Sequence, residues 1–207
     1  MINDMHCVAG GVTLVSNFTT LSTDQYNHVR ALDLPGVEVR LENYEDYRPA
    51  GKCAGIVSVG ALEHFTRPGL SAAEKVKIYR RFFERCRDWL NPGARLSLQC
   101  ITWGNVPRDR TGSIMAQDVF PETDPPYVTD VLEASADTFE PLYMENCRSD
   151  YVRTLEVWLE RLRARQPEIE AMTTDGIFEF YERYLRRWIY GFKRKQLQLC
   201  RFVFQRH

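Results

Sequence analysis

The stretch CAGIVSVGALEHF, Cys53 to Phe65, decides the fold. Small and β-branched residues over Ala54 to Val59 read as a buried strand, because such side chains fit a pleated surface covered on both faces. Gly60 ends the run, and Glu63 and His64 follow it just ahead of the turn at Arg67-Pro68-Gly69. The carboxyl ends of strands are where α/β sheets bind ligands. A buried carboxylate beside an imidazole can hold or move a proton there. Taken alone the Glu-His pair has an equally good structural reading, since such dipeptides arise by chance.

Outward from this stretch, strands and helices alternate. On the amino-terminal side, strands are expected at Val8 to Leu14 and Val37 to Leu41, with a helix between them from Ser22 to Leu34 that Pro35-Gly36 stops. On the other side, Val76, Tyr79, Phe82, Phe83, Cys86, Trp89 and Leu90 recur at three and four residues, so Ala73 to Leu90 is an amphipathic helix ended by Asn91-Pro92-Gly93. A strand over Arg95 to Ile101 completes a βαβ pattern, the signature of a parallel α/β sheet. After the Pro-, Asp- and Thr-rich loop from Val106 to Thr129 come a strand at Thr138 to Met144, helices at Asp150 to Arg165 and Ile177 to Phe192, and a last strand at Gln198 to Phe204.

Composition bounds the function. The 207 residues are 44% hydrophobic, enough for one core, and the whole chain, 1–207, is read as a single domain. A net charge of -1 gives no argument for nucleic acid, and no basic-aromatic stripe flanks the Glu63 stretch. The first residues, MINDMHCVAGG, lack the pattern of a signal peptide, and no apolar run is long enough to span a membrane. A cytoplasmic location is expected. Six scattered cysteines and four scattered histidines form no metal-ligand spacing, so no metal site is expected and the thiols are read as reduced. Charge is uneven: residues 1–147 hold 14 Lys and Arg against 20 Asp and Glu, and residues 148–207 hold 13 against 8. The basic, aromatic run FEFYERYLRRWIYGFKRK, Phe178 to Lys195, could meet an anionic membrane surface, or be a core-packed helix with a solvated Arg face.

Six segments taken in order resemble the cyclopropane-fatty-acid synthase family, S-adenosylmethionine-dependent methyltransferases that include the mycolic acid cyclopropane synthases. They are TLSTDQ (Thr20 to Gln25), NYEDYR (Asn43 to Arg48), IVSVGALEHF (Ile56 to Phe65), LNPGARLSLQCI (Leu90 to Ile101), VFPETDPP (Val119 to Pro126) and DYVRTLEVWLERL (Asp150 to Leu162). The resemblance implies a Rossmann-like class I methyltransferase sheet with helices on both faces. It also implies S-adenosylmethionine as cofactor and an unsaturated fatty-acyl lipid or related olefinic metabolite as substrate. It assigns Thr20, Gln25, Tyr44 and Glu45 to the cofactor pocket, with Tyr44 against adenine, and adds the backbone of Val59. Glu63 and Tyr151 fall on the family's bicarbonate site, where bicarbonate acts as the base. His64 then supports the loop.

The chain departs from the family at three places. Gln99 stands where a histidine is usual, and glutamine carries no proton at neutral pH. Gln99 is retained among the catalytic candidates because of its position. Trp188 stands where a late helix usually carries cysteine, which reshapes the pocket. No LDxGCGxG-like strand and glycine turn precedes TLSTDQ, and Gly10-Gly11 is a weak substitute. The expectation is an N-terminally shortened sheet, either incomplete or with the Val8 to Leu14 run in the missing place. That departure keeps a second function open: a catalytically degenerate relative that binds an acyl ligand or a partner subunit, including a second copy of itself.

Overall fold

The computed structural model describes residues 5–9, 15–111 and 123–207. Its centre is a seven-stranded sheet in the order β3-β2-β1-β4-β5-β7-β6. The strands are β1 (Met5–Ala9), β2 (Val15–Thr20), β3 (Val37–Leu41), β4 (Cys53–Val59), β5 (Leu90–Trp103), β6 (Phe139–Asn146) and β7 (Leu197–Arg206). The helices are α1 (Thr23–Ala31), α2 (Ala72–Trp89), α3 (Val128–Ser135), α4 (Arg148–Ala164), α5 (Gln166–Met172) and α6 (Ile177–Lys193).

The pairs β2/β3 and β4/β5 are parallel, and β7 runs antiparallel to both β5 and β6. The middle of the sheet differs from the expected run. Two strands flank Gly10-Gly11 instead of one crossing it, and the stretch expected as a strand lies from Gly10 onward outside the described residues. β1 occupies the place between β2 and β4 and is antiparallel to both, with Met5 beside Thr19 and Ser58. The sheet is therefore continuous, but its central strand points the other way. Its amino end, not its carboxyl end, lies at the edge where Glu63 sits.

Why the residues form these elements is clearest at α2. Ser71 accepts from the Glu74 amide while the Glu74 carboxylate accepts from the Ser71 amide, a reciprocal cap that fixes the first turn. The apolar stripe of α2 then buries Tyr79, Phe82, Phe83 and Cys86 completely against Ile56, Leu96, Leu98, Phe202 and Phe204 of the sheet. α3 packs beside α2 on this face. On the opposite face α4 and α6 bury Leu155, Trp188 and Phe192 against Ile101, Trp103, Leu197 and Leu199, at the carboxyl end of β5. Helices thus lie on both faces, as expected, but the second face is only partly covered. α1 buries none of its residues, and Val57 and Val59 of β4 are 37% and 44% exposed.

Cys86, Cys100, Cys147 and Cys200 are free and buried, in line with reduced thiols. Cys53 is disulfide-bonded, which corrects the reading that no cysteine is oxidised. Among the described residues no group of three or more His, Cys, Asp or Glu side chains could hold a metal ion, and no helix is long and apolar enough to cross a membrane.

Candidate active site

The chain leaves β4 through Gly60, whose φ of 65° suits glycine and whose amide donates to the Gln99 carbonyl. A single 3-10 turn, Leu62–His64, then points Glu63 inward, where only 5% of it is exposed. Its Oε1 accepts from the Ile101 amide at 3.2 Å, and its Oε2 is buried with no hydrogen-bond partner. Burial pushes the carboxyl up to about 7, against the pull of the backbone amides that favour its anion. Near neutral pH it is split between an acid that can donate and a base that can accept.

Tyr151, in the first turn of α4, is close enough to feel the charge of Glu63. The Tyr151 hydroxyl is pushed up to about 12, first by burial and then by the charge of Glu63. Its ring is held edge-on by Phe192 at 5.0 Å and Trp158 at 6.3 Å. It remains a neutral donor at any ordinary pH. Gln99 does not join them: its Oε1 accepts from Nε of Arg201, across β7, at 2.9 Å. The loop behind Glu63 is fixed through His64, whose Nδ1 lies 3.0 Å from Thr123 Oγ1, and through Thr66, which donates to the Asp124 carbonyl. This matches the supporting role expected of His64. Asp124 in turn forms a buried ion pair with Lys75 of α2 and accepts from Trp103 Nε1 at 2.9 Å.

At the end of β2, Thr20 is fully buried and donates to Gln25 Oε1 at 2.6 Å, while Ser22 caps α1 by accepting from the Gln25 amide. The pair expected from TLSTDQ is thus brought together. Tyr44 lies in the core, its ring stacked on Phe65 with centroids 4.8 Å apart and its hydroxyl pushed up by burial. Phe65 takes the stacking position on that side of the ring. Glu45 is exposed and lines a surface cleft with Arg48, Arg81 and Arg85 of the loop and α2. Val59 pairs with Gln99, and its side chain faces the open part of the second face.

Two polar residues escaped the reading of the sequence. Thr19 and Ser58 sit in one row across β1, both on the α2 side, with hydroxyls that are buried and have no partner. Ser58 was marked by being the one hydroxyl on the inward face of an otherwise apolar strand. Thr19 carried no such mark, because only strand pairing brings it into the row.

The implied cofactor, S-adenosylmethionine, carries ribose hydroxyls and an amino-acid group. Orphaned buried hydroxyls at Thr19 and Ser58, next to the Thr20–Gln25 pair, suit such groups. The fit is one-sided. β1 ends at Ala9, beside Val15 and away from Glu63. Gly10-Gly11 lies outside the described residues.

Comparison with known proteins bears on the same stretch of chain. Residues 5–202 match the family model described as mycolic acid cyclopropane synthetase. Two curated proteins of Mycobacterium tuberculosis are similar: the S-adenosylmethionine-dependent methyltransferase UmaA, 27% identical over 184 residues, and the cyclopropane mycolic acid synthase MmaA2, 30% identical over 185. Each alignment covers 80% of this chain and 60% of the relative, so the chain spans less than two thirds of their length. The solved structure of MmaA2 superposes with a TM-score of 0.78 at 26% identity, covering 91% of this chain and 69% of that one. Family model and fold agree with the class I methyltransferase architecture, and the chain belongs to the mycolic acid cyclopropane synthetase family.

Proposed function

We propose that the chain forms the site of an S-adenosylmethionine-dependent carbon methyltransferase acting on an unsaturated acyl lipid or a related olefinic metabolite. One observation carries this reading beyond family membership: a buried carboxyl with an unpartnered oxygen, Glu63 Oε2, lies at the ligand-binding edge of the sheet, within electrostatic reach of the half-buried Tyr151 phenol. Thr19, Thr20, Gln25 and Ser58 would hold the cofactor, which when bound supplies an electrophilic methyl group.

Adding a methyl group to a carbon-carbon double bond leaves a carbocation on the olefin. The site must keep water from that cation, and the edge-to-face rings of Tyr151 and the fully buried Phe192 are suited to this. Ring closure then needs a base for one proton of the new methyl group. Bicarbonate, held by the Tyr151 hydroxyl and protonated Glu63, would supply that base. Both residues are neutral donors below pH about 7, and a buried anion is favoured by donors that bring no negative charge. Gln99, occupied by Arg201, adds no charge to this site.

Calorimetry with S-adenosylmethionine tests the cofactor, with measurable heat expected from folded protein. The mass of an olefinic acyl substrate after incubation reports transfer of the methyl carbon, which a ring and a methylated alkene gain equally, and proton NMR for remaining vinyl hydrogens then separates the products. A methyl-derived gain with no remaining double bond indicates a ring, and a retained double bond indicates methylation alone. No heat at millimolar cofactor would sink the enzymatic reading.

The reversed β1 and the open sheet face favour a second reading, a relative that binds an acyl ligand or a partner, including a second copy of itself. Light scattering discriminates: a stable monomer that takes up no hydrophobic dye counts against it. Peripheral contact with an anionic membrane through α6 belongs to either reading, because Arg183, Arg186 and Arg187 line one open groove of that helix.

A further inference from the structure

On the less covered face of the sheet, one row of side chains runs through Val59, Gln99, Arg201 and Glu145 by the registers of β4, β5, β7 and β6. The next row toward the carboxyl end of β5, Ile101 with Leu199, is buried under α4 and α6. The row through Arg201 is therefore the first that these helices leave open, with Val59 and Arg201 exposed and Gln99 half-buried. It also lies close to Glu63. Gln99 is two residues, about 7 Å of strand, from Ile101, and the Ile101 amide is the group that holds Glu63 Oε1.

Arg201 is held by a neutral partner. Its Nε donates to Gln99 Oε1 at 2.9 Å, and because a guanidinium can only donate, the amide oxygen is the end of Gln99 that meets it. The Gln99 amide nitrogen and the two terminal nitrogens of Arg201 are left without a hydrogen-bond partner among the described residues. Glu145 stands directly across from Arg201 in register, yet the two form no ion pair; the Glu145 carboxylate lies with the Tyr143 hydroxyl and the Cys147 thiol. Oriented donors with no acceptor suit an oxyanion, and the free end of a guanidinium takes a carboxylate or phosphate by two parallel bonds. Val57 and Val203 in the neighbouring row, with Val59 in this one, give apolar surface for the rest of a small ligand to cover.

We propose that Arg201, oriented by Gln99, binds an oxyanion carried by the substrate, a carboxylate or a phosphate monoester, and so selects a short olefin whose double bond lies a few bonds from its charge. The inference rests on the methyltransferase reading and deepens it by taking a compact anionic metabolite over an acyl lipid. A chain whose double bond is remote from its head group cannot set the head at Arg201 and the olefin at Glu63 together. Arg201 is a specificity determinant here and touches no reacting atom.

The probes are 3-hexenoate, 3-hexenyl phosphate and the uncharged 3-hexen-1-ol, followed without cofactor by calorimetry and by saturation-transfer NMR of their vinyl hydrogens. Expected is saturable binding of at least one anion at millimolar concentration and none of the alcohol. Tighter binding of the hexenoate supports the carboxylate form of the site, and tighter binding of the phosphate ester the other. Arg201→Gln should weaken that binding about tenfold or more. Arg201→Lys should recover part of it, since lysine keeps the charge and loses the fork. Arg95 is the control, an exposed arginine on the same face of β5, four residues before Gln99. Arg95→Gln should change the affinity by less than about twofold, as a distant surface charge does. A thermal melt checks the fold of each variant. The proposal is overturned if neither anion saturates, if Arg95→Gln and Arg201→Gln lose affinity equally, or if the alcohol binds as tightly as the anions. Faster methylation of oleate than of either short anion overturns it too. Anion binding that depends on Arg201, without S-adenosylmethionine binding, leaves the oxyanion site standing and removes the enzyme; the reverse removes the oxyanion site alone.

Discussion

Glu63 ties the stability of the fold to pH. Its carboxyl is held at about 7 in the folded chain, above its ordinary value of 4.5, so the folded protein binds more protons than the unfolded chain between those values. Stability contributed by this group is present at low pH and falls as pH rises through the window, by on the order of 3 kcal/mol in all. Glu63→Gln keeps an oxygen for the Ile101 amide and removes the titration. The variant should lose this fall in urea-unfolding free energy between pH 5 and pH 7.5, and an unchanged slope would mean that Glu63 stays ionised. In the enzymatic reading the same substitution keeps a neutral donor toward bicarbonate, so turnover on an olefin should persist and lose the fall expected as Glu63 ionises above pH about 7. Tyr151→Phe should cost less stability, because the ring contacts with Phe192 and Trp158 remain.

Single elements show where packing overrides local signals. The loop behind Glu63 is tied to α2 through Lys75 and Asp124, whose side chains are only 9% and 3% exposed. Removing one partner of a buried pair leaves an uncompensated charge, at a cost of about 3–5 kcal/mol. Asp124→Ala should therefore lower the denaturation midpoint strongly, and Lys75→Met with Asp124→Leu should recover much of it. A double variant as unstable as the single one would show that the pair supplies stability beyond its mutual compensation. α2 itself was legible in the sequence because five turns repeat one apolar stripe. By contrast α3 and α5, of eight and seven residues, offer too few turns for a period to show, and neither was expected. The strand expected across Gly10-Gly11 proved to be two strands around it, since alternation and β-propensity locate strands but not their direction. The place of Glu63 after a strand drew attention to it, whereas Tyr151 and the Thr20–Gln25 pair were named as candidates only through the family resemblance. The engagement of Gln99 by Arg201 was hidden, because those residues are 102 apart and meet only through the register of β5 with β7.

At the scale of the whole molecule, one row of residues crosses the sheet on its less covered face. Val57, Ser97, Val203 and Tyr143 stand side by side through the registers of β4, β5, β7 and β6, with Tyr143 52% and Val57 37% exposed. Val59 extends this surface toward the Glu63 edge. Parallel strand pairs such as β4/β5 are ordinarily buried on both faces, because their apolar side chains point both ways. An exposed apolar surface of this kind attracts other apolar surface in water. The chain taken alone should therefore bind a hydrophobic dye and self-associate as its concentration rises. Val57→Lys together with Val59→Lys should reduce both effects and cost only about 1 kcal/mol per site in strand preference, since neither side chain has a core to leave. Sedimentation velocity of the two forms across a concentration series is the measurement. Equal and concentration-independent sedimentation would mean that the polar neighbours Arg95, Gln99 and Arg201 already keep the face soluble, and that its partial cover serves no association.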